Sequence, residues 1–292
     1  MTIAVPAAFT RVRARPSWLG RFARRYPLGA GGGLLIIVMA IAAVLAGWLA
    51  PRNPLAIDFQ AMFASPGPGH WLGTDAFGRD VLSRVIFGAR TALFVGFSAS
   101  LGGATLGALL GVISAYFGGT TDLAIQRLAD ILISFPIIIL ALVVVAILGT
   151  GTSNMIVAIA LSFVPRIELV VRASALGIRQ TTYVEAARAI GASHWRVIFR
   201  HMVPNVVAPY LVMLTAFLGQ AILLEASLSF LGLGAAEPTP AWGLMLSGGA
   251  VEFVQRAPWM AIVPGVAISL TVLAFNVLGD SLRDALDPRL RT

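Results

Sequence analysis

The segment from Arg172 to Asn205, RASALGIRQTTYVEAARAIGASHWRVIFRHMVPN, is spaced for recognition rather than for bond-making. Thr182 stands three residues before Glu185. At that spacing a hydroxyl and a carboxylate satisfy each other's backbone N–H groups across the first turn of a helix. The helix is expected to continue through Ala186, Ala187 and Ile190 and to stop at Gly191, which suits the left-handed position just past a helix end. Ser193 can cap a second helix through Trp195, Ile198 and Phe199, ending before Pro204. Two short helices bent around Gly191, with small Ala186 and Ala187 open to close approach, would form a docking surface. Read alone, Glu185 serves equally well as nothing more than a helix cap.

Catalytic chemistry is narrowed by what the chain lacks. All 21 basic residues are Arg, and there is neither Lys nor Cys. Without Lys there is no phosphate loop of the Walker type, whose Gly-rich turn ends in Lys, and no Schiff base. Without Cys there is no disulfide, thiolate nucleophile, iron–sulfur cluster or Cys-ligated zinc. His70, His194 and His201 lie too far apart for an H-E-x-x-H zinc site. No catalytic residue, metal site or cofactor of its own is therefore expected. Nucleotide energy would have to enter through another chain.

The elements that position this segment are apolar. Of 292 residues, 58% are hydrophobic and 12% charged, with a mean hydropathy of +0.87. A soluble domain carries about 25% charge, so a water-soluble globule is excluded. A hydrocarbon core roughly 30 Å thick needs about 20 apolar residues in a helix. Six candidate spans follow, at 29–50, 91–117, 131–148, 154–171, 206–231 and 259–278. The first is too long for a signal-peptide core and no A-x-A site follows it, so it is expected to stay as a helix. The expected organisation is a basic tail (1–28), the first span (29–50), an outer segment (51–90), a five-helix core (91–280) with the loop 172–204, and a tail (281–292).

Orientation follows from the arginines. Arg11, Arg13, Arg15, Arg21, Arg24, Arg25, Arg127, the loop arginines 172, 179, 188, 196 and 200, and Arg283, Arg289 and Arg291 share one side, fifteen of the 21. The positive-inside rule places both termini and the loop in the cytoplasm. The net charge of +8 is thereby explained by the lipid bilayer, and no nucleic-acid partner is expected. Gly103, Gly107 and Gly111 make two small-xxx-small steps along the second span. Such a stripe suits close helix packing, between subunits or within one chain.

The run Glu185-Ala186-Ala187, three residues, Gly191 and then Pro204 resembles the EAA loop of membrane subunits of ATP-binding-cassette importers, E-A-A-x3-G-x9-I-x-L-P. His201 and Val203 stand where that pattern has Ile and Leu, and Arg200–Asn205 (RHMVPN) resembles the peptide-importer branch. Leu72-Gly73-Thr74-Asp75, Gly78-Arg79-Asp80-Val81-Leu82-Ser83-Arg84 and Gly88-Ala89-Arg90 are similar to the region before the second span of dipeptide, oligopeptide and nickel permeases. So are Leu228–Gly234 (LSFLGLG), Pro238-x-Pro240-x-Trp242-Gly243 and the tail from Gly279 to Arg289. Together they resemble the "C"-type subunit over residues 70–291. The resemblance implies a type I importer fold of six helices, MetI-like, in a bacterial inner membrane. It implies a second, homologous permease subunit, two ATPase subunits that use ATP and Mg, and a solute-binding protein outside. The EAA residues would dock the ATPase, and di- or oligopeptides would cross by alternating access. Nickel and glutathione-type substrates belong to the same family. An ion-coupled secondary transporter, the rival class, would show inverted repeats and several intramembrane carboxylates; a scaffold without transport would leave the loop unexplained.

Ionisable residues at membrane depth suggest function or helix pairing. Glu225 is expected midway along the fifth span, lining a pathway, pairing with an Arg or holding helices together. Arg166 is expected to snorkel from the fourth span, near Glu168 and Pro165. Asn276 in the sixth is expected to hydrogen-bond between helices. The segment before the second span is expected to anchor at the interface through Arg84 and Arg90. The Pro-rich stretch 232–243 suits either a binding-protein contact or a folded-back cap.

Overall fold

A computed structural model describes residues 18–247 and 253–286. Arg11, Arg13, Arg15, Arg289 and Arg291 and the end of the tail motif lie outside the described residues. The regular elements of the described chain are all helices, with isolated bridges only at Gly67–His70 and Thr74–Asp80. Five helices are long and apolar enough to cross a membrane, six if one bent pair counts as a single span.

After α1 (Trp18–Arg25), α2 (Pro27–Val44) begins with Pro27 in its first turn, where a missing N–H costs nothing. It continues, after a break at Leu45, as α3 (Ala46–Leu49). An irregular segment leads to α4 (Val81–Phe117), a 37-residue helix that is roughly 55 Å long at 1.5 Å per residue. The helix starts ten residues before the expected span, because Asp80 caps it by accepting from the Ser83 backbone N–H at 2.8 Å. Arg84 is accordingly buried inside the fold, not anchored at an interface; Arg90 is exposed and donates to the Val44 carbonyl.

The third expected span is broken by a bend. The apolar run 131–148 is not one helix: α5 (Gly119–Ile133) and α6 (Ile137–Leu148) meet at 98°. Pro136 has no N–H to donate and pushes Phe135 out of helical geometry, so the ladder stops there despite the unbroken apolarity. The twelve residues of α6 reach only about 18 Å, short of a bilayer core.

α7 (Thr152–Arg179) carries Pro165 within a continuous helix, and packs more extensively against α4 than against any other element. The glycine stripe is the reason. A Cβ at Gly103 would lie 2.7 Å from the Ala160 carbonyl oxygen, at Gly107 2.8 Å from that of Val164, and at Gly111 2.7 Å from that of Glu168. Backbone therefore meets backbone along about two turns, and the stripe is consumed inside the chain. Around this seam a core of Val95, Ala99, Phe163, Ile167 and Phe217 is buried. α10 (Val207–Phe230) and α12 (Trp259–Leu286) pack on its other side with α2, Gly32 lying against the Ala274 carbonyl.

One end of the bundle collects the C-terminus of α4, the start of α5, the end of α7 and the connection to α10; the other carries the start of α4 and the stretch 231–247. There the Pro-rich segment folds back. Trp242, in the short α11 (Trp242–Ser247), donates its indole N–H to the Val85 carbonyl at 2.9 Å, and Thr91 donates to the Pro240 carbonyl.

Candidate functional site

The α7–α10 connection folds as a bent pair of helices. α8 (Thr182–Ala189) turns Val184 and Ala187 into the core and leaves Glu185 and Ala186 exposed. The expected capping box is not made. Thr181, not Thr182, holds the cap position, and its hydroxyl donates to the Ile178 carbonyl at 2.6 Å. Two adjacent threonines made the register ambiguous by one residue. Glu185 has no hydrogen bond or ion pair with the described residues, so its carboxylate is open in the first turn, where the helix dipole favours a negative charge. The small-residue face is likewise halved: Ala187 is buried, and Ala186 alone faces outward.

Gly191 makes the corner. Its φ of +79° is left-handed, and the closing bonds are Gly191 N–H to the Arg188 carbonyl at 2.9 Å and Ala192 N–H to the Ala187 carbonyl at 3.1 Å. That pair of bonds is the Schellman closure, which needs a residue tolerant of positive φ. Ser193 then stands at the cap position of α9 (His194–Val197), without a side-chain cap bond. The second helix differs from expectation: after one α-turn the chain widens into a π-helical turn at Ile198–Met202 and tightens to a 3-10 turn at Val203–Asn205, with Pro204 exposed in it. π-turns often mark functional positions.

The corner frames an open groove of about 480 Å³, with Tyr183, Ala186, Ile190, Arg196, Arg200 and His201 among its walls. Ile190 is 85% exposed at its edge. Trp195 and Phe199, 58% and 55% exposed, stack at 5.9 Å, one turn apart on the outer face. The surface thus combines exposed apolar and aromatic side chains with arginines, the composition of a protein-binding patch.

Tyr116, which sequence reasoning missed, holds the corner in place together with His194, Arg188 and Arg179. Tyr116, buried near the end of α4, shares a hydrogen bond of 2.8 Å with His194 Nδ1, and the Arg188 guanidinium lies 4.5 Å over its ring. Arg179 donates to the neighbouring Ala115 carbonyl at 3.0 Å, a cation at the negative end of α4. The aromatic at the end of an apolar span, just before Gly118-Gly119, was the available signal.

The other candidates lie apart from the groove. Glu225 of α10 is fully buried; Ser229 donates to its Oε1 at 2.9 Å, and Oε2 has no partner among the described residues. No Arg pairs with it there. Arg166 is half-buried without a hydrogen bond or ion pair to the described residues. Asn276 is exposed on α12, with Oδ1 2.8 Å from the place a Cβ on Gly219 would take. Glu168 instead belongs to a polar cluster that joins α4, α5 and α7: it accepts from Gln126 at 2.8 Å, while Arg172 grips Asp122. Among the described residues no group of three or more His, Asp or Glu is placed to hold a metal ion.

At the opposite end, Asp75 accepts from the backbone N–H of Phe77 and Arg79 and from Arg79 Nε, the last at 2.6 Å. Glu237 of the folded-back stretch accepts from Arg79 at 2.9 Å, and Arg84 lies 3.7 Å from Asp75. His70 pairs with Asp80 at 3.0 Å. Loop, helix start and returning segment are tied together by these charges.

Residues 107–292, which hold the corner, the groove and the α7, α10 and α12 spans, match the family described as binding-protein-dependent transport system inner membrane component. Over 273 residues the chain is 43% identical to a glutathione transport system permease protein of Pectobacterium atrosepticum, covering 93% of this chain and 90% of that relative. It is 43% identical over 260 residues to a putative peptide transport system permease protein of Brucella suis, covering 89% and 87%. A glutathione transport system permease protein of Escherichia coli is 43% identical over 269 residues, covering 92% and 88%.

Proposed function

Because the chain belongs to the family of binding-protein-dependent transport system inner membrane components, we propose that it is the translocating subunit of an ATP-driven importer of short peptides. It pairs with a second, homologous permease subunit, and the substrate passes between the two. A solute-binding protein delivers the substrate outside. Two ATPase subunits bind ATP and Mg on the cytoplasmic side, where both termini and the α8–α9 corner lie. The permease itself carries no ATPase site. Closure of the ATPase pair moves the corners and switches the bundle between outward and inward access, so that ATP and substrate bias one two-state element.

The observation that carries this reading is the corner itself. Glu185 is open in the first turn of α8, Gly191 closes the bend, and beside them lies a groove lined by apolar side chains and two arginines. Docking of this kind needs no bond chemistry from the chain, in keeping with the absence of Lys and Cys. Short peptides are the substrate class that covers the relatives' names, glutathione being itself a tripeptide.

Replacing Glu185 by Ala, and separately Gly191 by Ala, tests the docking. Each is expected to release the ATPase or to uncouple hydrolysis from uptake while the permease still inserts. Normal uptake with normal ATPase retention in both variants sinks the assignment. The substrate class is tested by titrating the cognate binding protein with dipeptides, longer peptides, glutathione and Ni²⁺: binding of Ni²⁺ alone overturns it.

A further inference from the structure

We infer that Tyr116 is a positioning residue for coupling, the point at which the orientation of the docking corner enters the long helix α4. The inference rests on the docking reading of α8 and α9 given above, and goes beyond it by naming the joint.

A single contact between corner and bundle would leave the corner free to pivot. Tyr116 makes two, and to different arms. Its ring lies under Arg188, in the last turn of α8, with the guanidinium 4.5 Å from the centroid. Its hydroxyl meets Nδ1 of His194, the first residue of α9, at 2.8 Å. Gly191 sits between the arms, so the bend and its two attachment points form a triangle with one buried side chain at its apex. Arg188 Nε is buried without a hydrogen-bond partner among the described residues, and the half-buried guanidinium faces the ring, an attraction that partial burial strengthens.

What lies behind the apex makes the joint useful. Tyr116 is the penultimate residue of α4, whose other end is capped by Asp80 inside the far-end charge cluster. α4 is unbroken between them, and its glycine stripe presses backbone to backbone on α7. A rod so packed does not bend to absorb a displacement at one end, because close-packed interiors transmit strain. Arg179, from the end of α7, holds the carbonyl next to Tyr116. Rotation of the corner about Tyr116 therefore moves α4 and α7 as one piece.

The test uses the complete transporter reconstituted in liposomes with its loaded binding protein, reading substrate moved per ATP hydrolysed and ATPase co-purification together. Tyr116→Ala removes both contacts and is expected to lower transport per ATP by about tenfold with the ATPase retained, a loss in the usual range for coupling between distant sites. Tyr116→Phe keeps the ring under Arg188 and removes only the His194 bond. It is expected to show a smaller loss, equalled by His194→Gln, with the double variant no worse than either single one. Should Tyr116→Ala fail to assemble, the Phe and Gln variants decide. Wild-type transport per ATP in Tyr116→Ala, or independent multiplying losses in the Phe and Gln variants, overturns the inference. A Glu185→Ala control separates the two readings. If that control loses the ATPase while Tyr116→Ala transports normally, only the joint is wrong. If neither variant changes anything, the docking reading fails and the joint with it.

Discussion

Arg172 of α7 grips Asp122 of α5 with a planar fork, Nε to Oδ1 at 2.7 Å and Nη2 to Oδ2 at 2.6 Å. Ser114 of α4 also donates to Asp122, so one carboxylate ties three helices where the bent pair begins. Each partner is about a quarter exposed, and charge-assisted fork geometry outlasts partial screening. Arg172→Lys keeps the charge but loses the fork. It is expected to lower stability by about 1–2 kcal/mol, read by thermal unfolding of the detergent-solubilised complex. A variant as stable as wild type would show that the fork holds nothing.

Gly102 and Gly103 are neighbours with opposite expectations. A Cβ on Gly103 would lie 2.7 Å from the Ala160 carbonyl oxygen, whereas one on Gly102 would meet the Ala160 methyl at an ordinary 3.6 Å. Backbone cannot give way as a side-chain tip can. Gly103→Ala is expected to cost about 1–3 kcal/mol, the usual penalty for overpacking, and Gly102→Ala close to nothing. Membrane yield and unfolding temperature check the contrast, and equal effects at both sites would contradict the α4–α7 seam.

How far these features could be read from the chain depended on whether the physics was local. The Gly191 corner was legible, since a helix end needs positive φ and little else. The glycine stripe announced close packing, but its partner α7 lies some fifty residues away and no local rule points to it. At Ser134-Phe135-Pro136 the local signal was present and outweighed, because apolarity alone suggested one span through a proline that breaks it. The residues that line the groove all fall within the expected docking segment. Tyr116 was not: its role exists only because the fold carries Arg188 and His194 to it.

At the far end, burial decides between two carboxylates facing the same arginines. Asp75 is 12% exposed and Glu237 45%. Removing Asp75 leaves the buried Arg79 and Arg84 facing only the half-exposed Glu237, and breaking a buried pair costs about 3–5 kcal/mol. Asp75→Ala is therefore expected to abolish accumulation of the permease in the membrane. Glu237→Ala removes a solvent-screened partner worth about 0–1 kcal/mol and should leave accumulation near normal. Immunoblots of membrane fractions test the pair; equal accumulation of the two variants would contradict the burial argument.

Trp195 and Phe199 form a stacked aromatic pair with more than half of each side chain exposed. Exposed residues of this kind contribute little to the isolated fold and much to an interface. Trp195→Ala is expected to leave the unfolding temperature of the purified permease unchanged and to weaken ATPase retention by about thirtyfold, the equivalent of a 2 kcal/mol hot spot. Arg196→Ala, at the rim, should act mainly through the association rate and its salt dependence. Binding kinetics at two ionic strengths separate the contributions. A Trp195 variant that binds normally removes the aromatic pair from the docking surface.

Gly191 allows the backbone and the contact surface to be tested separately. Nothing in the described chain lies within 4 Å of a Cβ placed there, yet its φ is +79°. Any defect of Gly191→Ala in the permease alone is therefore conformational, a cost of about 1 kcal/mol for a left-handed L-residue. Asn tolerates that region better, so Gly191→Asn should fold the corner more readily than Gly191→Ala. If Gly191 serves only the bend, Asn also restores ATPase retention above the Ala variant. If a partner's surface closes on the corner, both variants lose retention and Asn, the bulkier, loses more. Retention measured against the unfolding temperature of each permease variant distinguishes the two, since the bend alone predicts that both quantities rank Gly, Asn, Ala in the same order.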